Sequence, residues 1–505
     1  MANPLYDTLF GAHAGKSDTF LHLPDGKTLS YKDFLGQAAQ IAHAITALGV
    51  KPGDRVAVQV EKSPEALALY AACVQAGLIF LPLNTAYTAD ELEYFVENSE
   101  AALLVCDPAK EEKLAPIAKR LGARLETLGD DGKGSIIEMA AGHGDTFETA
   151  ERTEDDLAAF LYTSGTTGRS KGAMLSQGNL LSNARTLKEH WRFTSDDVLL
   201  HALPIFHTHG LFVATNITLL AGGAMIFLPK FDLDVMIDKL PQATAMMGVP
   251  TFYTRLLGDE RFTGDLVSHF RLFVSGSAPL LAETHTQFEA RTGHRILERY
   301  GMTETNMNTS NPYDGERRAG TVGFPLPGVE LKVTDPDTGK ELAQGEVGQI
   351  EVRGPNVFQG YWRMPEKTKA ELRDDGFFIT GDLGKIDDDG YVHIVGRNKD
   401  LIISGGYNIY PKEIELLLDE QPGVMESAVI GVPHPDFGET VVGVLIPEKD
   451  ASPDVDAIME AAKESLARFK HPRKLVIEDE LPRNTMGKVQ KNILRDRYND
   501  LFTEA

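Results

Sequence analysis

Strand-like and helix-like segments alternate along the first two thirds of this chain. Between about residues 28 and 330, short apolar runs at 55–60, 103–106 and 272–275 alternate with amphipathic stretches such as 31–48. A strand that is followed by a helix and a second strand usually pairs with that strand in parallel, and the helix covers one face of the sheet. The alternation therefore predicts an α/β fold built from layered, mostly parallel sheets.

The pattern changes at Gly328, where short alternating strands begin. Residues 329–333 and 348–353 are separated by Asp, Gly and Pro turns, which is typical of a small β-barrel. An Asp389-Gly390 turn predicts a hairpin over residues 385–395. The segments predicted after Arg397 are a helix at 413–419, strands at 427–432 and 441–446, and a helix at 457–467.

The chain has 505 residues, which is too many for one compact core, so we expect at least two domains. The expected N-terminal domain is large, spans residues 1–398 and combines layered α/β sheets with a small β-barrel. The expected C-terminal domain, residues 399–505, is a smaller, mobile α+β domain hinged at Lys399. One continuous domain, with Gly405-Gly406 as a plain turn, is the alternative.

Residues 162–172 have the composition of a loop that holds phosphate. The sequence Tyr-Thr-Ser-Gly-Thr-Thr-Gly-Arg-Ser-Lys-Gly follows an apolar run at 157–161 and contains glycines, hydroxyls and two cations. Glycines let backbone N–H groups turn toward an anion, hydroxyls add donors or a metal ligand, and lysine supplies a positive charge. A surface turn is the alternative, but such a turn rarely needs a buried strand before it and cations within it.

The loop differs from the Walker P-loop, which requires Gly, four residues and then Gly-Lys-Ser/Thr. Counted from Gly165, the position of the second glycine is occupied by Ser170, and Lys171 is followed by Gly172. The sequence is therefore not that of a P-loop NTPase.

The charge and apolar pattern argue against two classes of partner. With 50 basic and 74 acidic residues the formal net charge is −24, which disfavours binding to nucleic acid or to an anionic membrane. No apolar run approaches the ~18 residues of a membrane span, and the first residues lack the features of a signal or transit peptide. Cys73 and Cys106 lie in apolar surroundings, as reduced core thiols do. We therefore expect a cytoplasmic protein with no nucleic-acid or membrane partner.

Five segments resemble, in order and rough spacing, the signature elements of the adenylate-forming (ANL) superfamily. That superfamily comprises acyl-CoA synthetases, firefly luciferase and peptide-synthetase adenylation domains. The segments are the glycine-rich loop 162–172, Glu298 to Glu304 with its Tyr-Gly-Met-Thr-Glu sequence, Thr380-Gly-Asp382, the hinge segment 396–409 and Pro482 to Lys488. The resemblance extends from about residue 29 to residue 492 and so covers nearly the full chain.

The resemblance implies an ATP site in which the glycine-rich loop and Lys171 hold the triphosphate while a carboxylate attacks the α phosphate. Thr166 and Glu304 are implied to ligate Mg²⁺, a hard cation that takes few protein ligands. Asp382 is implied to accept the ribose hydroxyls, with Arg397 closing over the sugar. The remaining residues implied to bind ATP are Thr163, Ser164, Gly165, Thr167, Gly168, Ser277, Ala278, Glu298, Tyr300, Gly301, Met302 and Thr303.

The resemblance also implies a second step at the same site. Lys488 is implied to be the catalytic lysine that bridges the carboxylate and the α phosphate. Rotation about Lys399 is then implied to replace it with the segment Ser404, Gly405, Gly406 and Tyr407, which binds CoA. Because acetylation removes the charge of a lysine, we hypothesise that a lysine acetyltransferase acting on Lys488 would switch the enzyme off.

The acyl pocket is expected to be lined by His207, Met246 and Met247, with Arg255 on the following helix. An arginine beside the pocket would suit a second carboxylate better than a fatty acid, although Arg255 on a solvated helix face is an alternative. His207 and His209 could form half of a metal site, but no third ligand stands near them in sequence. The sequence as a whole resembles bacterial malonyl-CoA synthetases, so we expect malonate as the acid and methylmalonate as a second substrate.

Three other functions are weighed against this hypothesis. An acyl-CoA synthetase for fatty or aromatic monocarboxylates would lack a buried arginine in its pocket. A carrier-loading adenylation enzyme would be expected to stand beside a carrier domain, and none is evident. A nonenzymatic nucleotide-binding protein would have no reason to carry both Asp382 and Lys488. The sequence does not fix the exact acid, the oligomeric state, the pathway or the direction in which Arg255 points.

Overall fold

The computed structural model describes residues 2–163, 170–404, 407–484 and 487–502, without the side chain of Asn408. The chain divides into two compact units. The first unit comprises Met1–Glu330 and Val352–Phe378, and the second comprises Leu331–Glu351 and Ile379–Ala505. The mixed α/β organisation into a large unit with several sheets and a smaller unit confirms the predicted fold class. The predicted division at Lys399 concerns a hinge motion and stays a prediction.

Helices and strands alternate through the first unit as the sequence predicts. Its strands are β1 (Thr19–His22), β2 (Thr28–Ser30), β3 (Arg55–Gln59), β4 (Ile79–Pro82), β5 (Leu103–Cys106), β6 (Arg124–Thr127), β7 (Leu157–Thr163), β8 (Lys171–Ser176), β9 (Val198–His201), β10 (Ala224–Phe227), β11 (Ala245–Gly248), β12 (Leu272–Ser275), β13 (Leu297–Met302), β14 (Asn306–Ser310) and β15 (Phe324–Pro325).

Its α-helices are α1 (Pro4–Leu9), α2 (Tyr31–Ala47), α3 (Pro64–Gln75), α4 (Ala89–Ser99), α5 (Glu111–Leu121), α6 (Ser135–Ala140), α7 (Gln177–His190), α8 (Asn216–Ala221), α9 (Leu233–Lys239), α10 (Pro250–Leu257), α11 (Gly264–Val267), α12 (Ala282–Thr292) and α13 (Pro365–Glu371). Short 3-10 turns span Gly11–His13, Pro108–Lys110 and Leu240–Gln242, and a π-helix spans His209–Thr215.

Two sheets organise the first unit. The larger has nine strands in the order β15-β14-β13-β12-β11-β9-β10-β1-β2, and its pairs from β1 through β10, β9, β11 and β12 to β13 are parallel. The smaller has six strands in the order β6-β5-β3-β4-β7-β8, in which the β7–β8 pair is antiparallel. In such sheets ligands bind beyond the carboxyl ends of the parallel strands, and Ser277, Ala278, Thr303 and Glu304 follow the carboxyl ends of β12 and β13.

Local sequence explains where the helices near these strand ends begin. Helix α3 starts at Pro64 because the Ser63 side chain accepts a hydrogen bond from the backbone N–H of Ala66, and proline is favoured in a first helical turn. Helix α7 directly follows β8 because Ser176 and Asn179 cap each other reciprocally. An apolar core that includes Phe95, Phe160 and Leu104 packs α4 and α5 against the six-stranded sheet.

The second unit contains a four-stranded and a five-stranded sheet. Its elements are β16 (Glu330–Thr334), β17 (Gly348–Arg353), β18 (Phe378–Ile386), β19 (Val392–Arg397), β20 (Ile402–Ser404), β21 (Tyr407–Ile409), β22 (Val424–His434), β23 (Gly438–Pro447), β24 (Lys474–Ile477), α14 (Pro411–Asp419), α15 (Val455–Ser465), α16 (Lys491–Arg497) and 3-10 turns at Asn398–Asp400 and Arg468–Lys470.

The strands predicted after Gly328 are present, but the described residues form an open sheet in the order β16-β17-β18-β19 instead of the expected small barrel. The five-stranded sheet has the order β21-β20-β23-β22, with β24 parallel to β23. Alternate residues of β22 face two cores, Val429 toward α14 and α15 and Ile430 toward α16. The sheet that leads to the Lys488 loop is therefore packed on both faces.

Two expectations about the chain as a whole can be compared with the structure. Within the described ranges, no helix is both long enough and apolar enough to cross a membrane. Cys73 and Cys106 are both buried and unbridged, as the prediction of reduced core thiols requires.

Candidate active site

The predicted phosphate loop connects two antiparallel strands. Strand β7, mostly buried, ends at Thr163, and β8 begins at Lys171, which lies opposite Thr163 in the strand register. The hairpin therefore fixes both ends of the loop and confirms that a buried strand precedes it. The predicted roles of Ser164, Gly165, Thr166, Thr167 and Gly168 lie outside the described residues.

Lys171 belongs to a compact cluster with one aromatic and two acidic side chains. Its Nζ lies 4.1 Å from the centroid of the Tyr361 ring and 3.5 Å from Glu371 Oε2. The Tyr361 hydroxyl donates a hydrogen bond of 3.0 Å to Glu304 Oε1, and Glu304 is buried. Tyr361 thus brings Lys171 and Glu304 together beside the end of the phosphate loop. Sequence reasoning missed Tyr361 and Glu371, because neither belongs to the five segments that carry the resemblance.

The cluster holds its charges in defined states. Burial, with the negative charges of Glu304 and Glu371, raises the pKa of the Tyr361 hydroxyl far above its usual range. Burial alone would raise the pKa of Glu371, but hydrogen bonds from Lys367 and Tyr361 and the charge of Lys171 lower it overall. Tyr361 is therefore a neutral hydrogen-bond donor at neutral pH, and Glu371 is a carboxylate.

Glu304 has the chemistry of a magnesium ligand. It is a buried carboxylate next to the phosphate loop, and Mg²⁺ is bound by one or two such oxygen ligands together with substrate phosphates. The donor set therefore fits the predicted metal as far as Glu304 is concerned. Thr166, the second predicted ligand, lies outside the described residues.

The residues predicted to contact adenine follow the carboxyl ends of β12 and β13. Ser277 and Ala278 follow β12 after Gly276, and Ser277 has a φ of 73°, a left-handed conformation uncommon for serine. Glu298 is buried within β13, where its Oε1 accepts a hydrogen bond of 3.3 Å from the N–H of Gly320. Tyr300, Gly301, Met302 and Thr303 are half-buried at the end of that strand.

Gly301 is required by a close approach between β13 and β14. A Cβ atom at this position would lie 1.9 Å from the carbonyl oxygen of Asn306, which is backbone and cannot rotate away.

We expect Gly301→Ala to shift the turn that carries Met302 to Glu304, to lower the melting temperature and to weaken ATP binding at least tenfold. Thermal unfolding measures the melting temperature, and titration with ATP measures the affinity for ATP. Wild-type values for both would contradict the assignment. Gly144→Ala is the control, because open space surrounds that glycine and its φ is not positive.

His207 lies between β9 and the π-helix His209–Thr215, and His209 is the first residue of that helix. His207 is half-buried, and its Nδ1 accepts a long hydrogen bond of 3.4 Å from the N–H of His209. His209 is buried, with its Nδ1 3.2 Å from Ser277 Oγ. Burial and then the charge of Arg299 lower the pKa of His209 well below its usual range, so the ring is neutral. No group of three or more potential metal ligands exists within the described ranges, which gives the half-site alternative no support.

Arg299 is the functional candidate that sequence reasoning missed. It is 5% exposed, and its Nε and Nη2 have no hydrogen-bond partner in the described part of the chain. Burial lowers the pKa of its guanidinium to about 9. Gly276 makes room for it, because a Cβ there would lie 2.2 Å from the guanidinium carbon. A buried, charged and unsatisfied guanidinium of this kind is costly unless an anion completes it.

Arg255 does not occupy such a position. It lies on α10 as predicted, but its side chain is exposed, and its guanidinium carbon lies 5.5 Å from the Phe231 ring centroid. The solvated alternative weighed for Arg255 therefore matches the structure, because the buried face of α10 is formed by Phe252, Tyr253 and Leu256. Met246 and Met247 are fully buried in β11.

In the second unit, the predicted ribose residues are neighbours. Asp382 and Arg397 lie opposite each other on β18 and β19, and Arg397 Nε is 3.0 Å from Asp382 Oδ1. The Asp382 backbone is fixed by Gln349, whose Nε2 donates a hydrogen bond of 3.0 Å to the Asp382 carbonyl. Asp382 is 4% exposed, so a carboxylate is held in place with an arginine beside it.

The loop that carries Lys488 is closed by its own hydrogen bonds. The N–H of Asn484 donates to the Lys488 carbonyl at 2.9 Å, and the N–H of Lys488 donates to Asn484 Oδ1 at 3.0 Å. Arg483 Nη1 donates to the carbonyl of Gly487 at 2.7 Å and also pairs with Glu426. At the start of α16, Lys491 Nζ lies 2.5 Å from Glu415 Oε1. The loop is thus anchored on both sides of Lys488, which is half-buried.

The predicted hinge and CoA residues lie on short exposed elements. Lys399 is exposed within the 3-10 turn Asn398–Asp400. Ser404 and Tyr407 lie opposite each other on β20 and β21, and Tyr407 is 58% exposed with its ring 4.7 Å from that of Phe469. Gly405 and Gly406 lie outside the described residues.

Comparison with known proteins agrees with this geometry. The profile of the AMP-binding enzyme family matches residues 11–362, and that of the AMP-binding enzyme C-terminal domain matches residues 413–488. The malonate–CoA ligase of Arabidopsis thaliana is 35% identical over 97% of this chain and 88% of its own length. The feruloyl-CoA synthase of an Amycolatopsis species is also 35% identical, over 94% of each protein.

A crystal structure of ATP-bound MatB from Rhodopseudomonas palustris is 59% identical and covers 99% of this chain and 100% of its own, with a TM-score of 0.97. The family profiles, the relatives and this structural match confirm the resemblance to adenylate-forming enzymes that the sequence motifs indicated. The chain is an enzyme and belongs to the AMP-binding enzyme family.

Proposed function

We propose that this enzyme is an ATP-dependent malonate:CoA ligase that forms malonyl-CoA, AMP and pyrophosphate through a malonyl-adenylate, and that it also accepts methylmalonate. The observation that carries the proposal is Arg299, a buried guanidinium with two unpaired nitrogens. The relatives whose names specify malonate and the ATP-bound structural neighbour support the same reaction.

The charge of the buried Arg299 guanidinium favours a dicarboxylic acid as the substrate. The reacting carboxylate must reach the α phosphate, so a second negative group is needed to pair with a cation at the other end of the substrate. A fatty or aromatic tail would leave the guanidinium buried without a counter-charge, at a cost of several kcal/mol. A second carboxylate pairs with it in charge-assisted hydrogen bonds. Ser277 and the neutral His209, 3.2 Å apart, lie on the segments that flank it and offer further polar contacts.

In the first step, adenylate formation, several side chains have separate roles. Lys171 neutralises phosphate charge, while Tyr361 orients the Glu304 carboxylate by donating a hydrogen bond to it. Mg²⁺, when bound by Glu304 and Thr166, would neutralise further charge on the phosphates. Asp382 accepts hydrogen bonds from the ribose, with Arg397 beside it. Lys488 cancels the repulsion between the incoming carboxylate and the α phosphate.

The proposal assigns the second step to the segment from Ser404 to Tyr407 after rotation about Lys399. We expect Lys399→Pro to form adenylate at the wild-type rate and then to stall, because proline fixes φ and hinders the rotation. Pyrophosphate release reports the first step, and thioester formation from isolated acyl-adenylate reports the second. A variant that makes the thioester as fast as wild type would exclude Lys399 as the hinge, and Lys399→Ala controls for loss of the side chain.

We also propose that acetylation of Lys488 regulates the enzyme, because it removes the charge that the first step needs. A sample acetylated stoichiometrically at Lys488 should lose adenylate formation and recover it after enzymatic deacetylation. Full activity of the acetylated sample would rule this regulation out.

We place the enzyme in the cytoplasm, where two buried and unbridged cysteines remain reduced. Fractionation of the source cells with an antibody against the enzyme tests this, and recovery in an oxidising compartment or a membrane fraction would contradict it.

A panel of acids tests the proposed substrate. Pyrophosphate release and acyl-CoA formation are measured with ATP, free CoA and malonate, methylmalonate, butyrate, octanoate, benzoate or ferulate. We expect kcat/KM for malonate to exceed that for every monocarboxylate by at least a hundredfold. A preference for octanoate, benzoate or ferulate would identify a monocarboxylate ligase, and adenylate formation without transfer to free CoA would indicate a carrier-loading enzyme.

A further inference from the structure

A second buried cation lies at the carboxyl end of β3, away from the motifs that define the family. Lys62 is 7% exposed, and no carboxylate in the described residues lies within ion-pair distance of it. It follows β3 of the six-stranded sheet by three residues and directly precedes Ser63, which caps α3. None of the roles assigned above uses it.

The ammonium group of Lys62 reaches across to the nine-stranded sheet. Its Nζ lies 2.8 Å from His201 Nδ1, 2.8 Å from the His201 carbonyl oxygen and 3.0 Å from the Leu203 carbonyl oxygen. It also lies 4.3 Å from the centroid of the Phe227 ring, on the neighbouring strand β10. His201 is the last residue of β9, so one side chain connects the carboxyl ends of β3 and β9.

These contacts indicate which nitrogen atoms of Lys62 and His201 carry protons. Burial lowers the pKa of Lys62, but its Nζ has three acceptors if His201 Nδ1 carries no proton, and these match the three N–H donors of the ammonium form. His201 Nε2 then carries the proton and donates to the Gly210 carbonyl at 2.9 Å. Burial, followed by the charge of Lys62, lowers the pKa of His201 well below its usual range, which agrees with a neutral ring.

The same two residues hold both ends of the segment that carries His207 and His209. Lys62 binds the carbonyl of Leu203 at its start, and His201 binds the carbonyl of Gly210 at its end. The segment itself is tightly folded, because a Cβ at Gly210 would lie 2.0 Å from the carbonyl oxygen of Pro204. Its position relative to Ser277 and Arg299 therefore depends on contacts at its two ends.

We propose that Lys62 is a positioning residue for the acyl-acid site, which acts through His201 to hold residues 203–210 so that His207 and His209 face the substrate. This proposal rests on the proposed function, because it takes His207, His209 and Arg299 to line the site for the acid. It assigns Lys62 no direct contact with substrate.

Lys62→Met tests the proposal in the full-length enzyme, since methionine keeps the apolar stem and removes all three hydrogen bonds. We expect KM for the acid to rise at least tenfold, with KM for ATP within twofold of wild type. The acid used is the one that wild-type enzyme turns over best, so a wrong assignment of malonate appears in the wild-type panel and does not affect this result. Lys51→Met, at an exposed lysine, is the matched control.

A double-mutant cycle separates positioning from a general structural role. In a background that carries both His207→Ala and His209→Ala, Lys62→Met should raise KM for the acid by less than threefold, because the groups that Lys62 positions are already absent. Equal rises in both backgrounds, or equal changes in KM for acid and for ATP, would overturn the proposal.

If Lys62→Met does not fold, His201→Gln interrupts the same chain of contacts at its second link and is measured in the same way. A selective rise in KM for the acid supports the proposal, and an unchanged KM for the acid overturns it.

Discussion

Lys488→Ala is expected to reduce adenylate formation at least a hundredfold while transfer from preformed acyl-adenylate to CoA continues. In the first step two anions must meet, and the variant loses the cation that cancels their repulsion. A preorganised charge-assisted contact of this kind contributes roughly 3 kcal/mol or more to transition-state stabilisation. The second step has no such requirement, because the adenylate is already formed when the thiol attacks.

The two half-reactions are measured separately to test this expectation. Pyrophosphate release on adding ATP and acid reports the first, and acyl-CoA formation from isolated acyl-adenylate reports the second. Lys449→Ala, at an exposed lysine of the same unit, is the control for loss of a lysine as such. Equal losses in both half-reactions would show that Lys488 supports the fold of its loop and does not act on the carboxylate.

Arg299→Leu is expected to lower kcat/KM for malonate by two or more decades and to leave butyrate unchanged or improved. Malonate would enter a pocket in which its distal carboxylate is buried without a partner, at a cost of about 3–5 kcal/mol. Butyrate has no such charge, and an apolar lining then faces its apolar tail. The variant should also unfold at the same temperature as wild type or higher, because it removes a buried charge that has two unpaired nitrogens.

Arg255→Leu provides the matched control for this experiment. The substitution is chemically identical, but Arg255 is exposed, so its loss should change neither substrate. Steady-state kinetics with malonate and butyrate in both variants make the comparison. A parallel loss for both acids in Arg299→Leu would show that Arg299 is structural, and a malonate-specific loss in Arg255→Leu would return the role to Arg255.

The sequence predicted the elements of the fold better than the way in which they assemble. Strands β5, β12 and β17 have the predicted bounds, and α2 ends one residue before the predicted position, because apolar periodicity and flanking turns are local signals. The barrel expected after Gly328 is an open sheet, since closure depends on pairing between strands that are distant in sequence. Local sequence patterns do not show whether the two edge strands of a sheet pair with each other.

The difference between local sequence signals and tertiary assembly also explains why the sequence pointed to Arg255 and not to Arg299. Arg255 follows a predicted pocket strand in sequence, but sequence position does not give the direction of a side chain on a helix. Arg299 lies within the segment from Glu298 to Glu304 and is separated from the apolar pair Ile296-Leu297 by one residue. A cation inside a buried strand is expensive unless it has a task, so this pattern was the signal that could have identified it.

The path of the chain between its two compact units has a consequence for the construction of hybrid enzymes. The second unit is assembled from two separate stretches, Leu331–Glu351 and Ile379–Ala505, with Val352–Phe378 belonging to the first. A hybrid joined at residue 398 would therefore take the four-stranded sheet, β16 to β19, from one parent and the five-stranded sheet from the other. Exchange of both stretches together takes the whole second unit from one parent, so such hybrids should be the more soluble of the two designs.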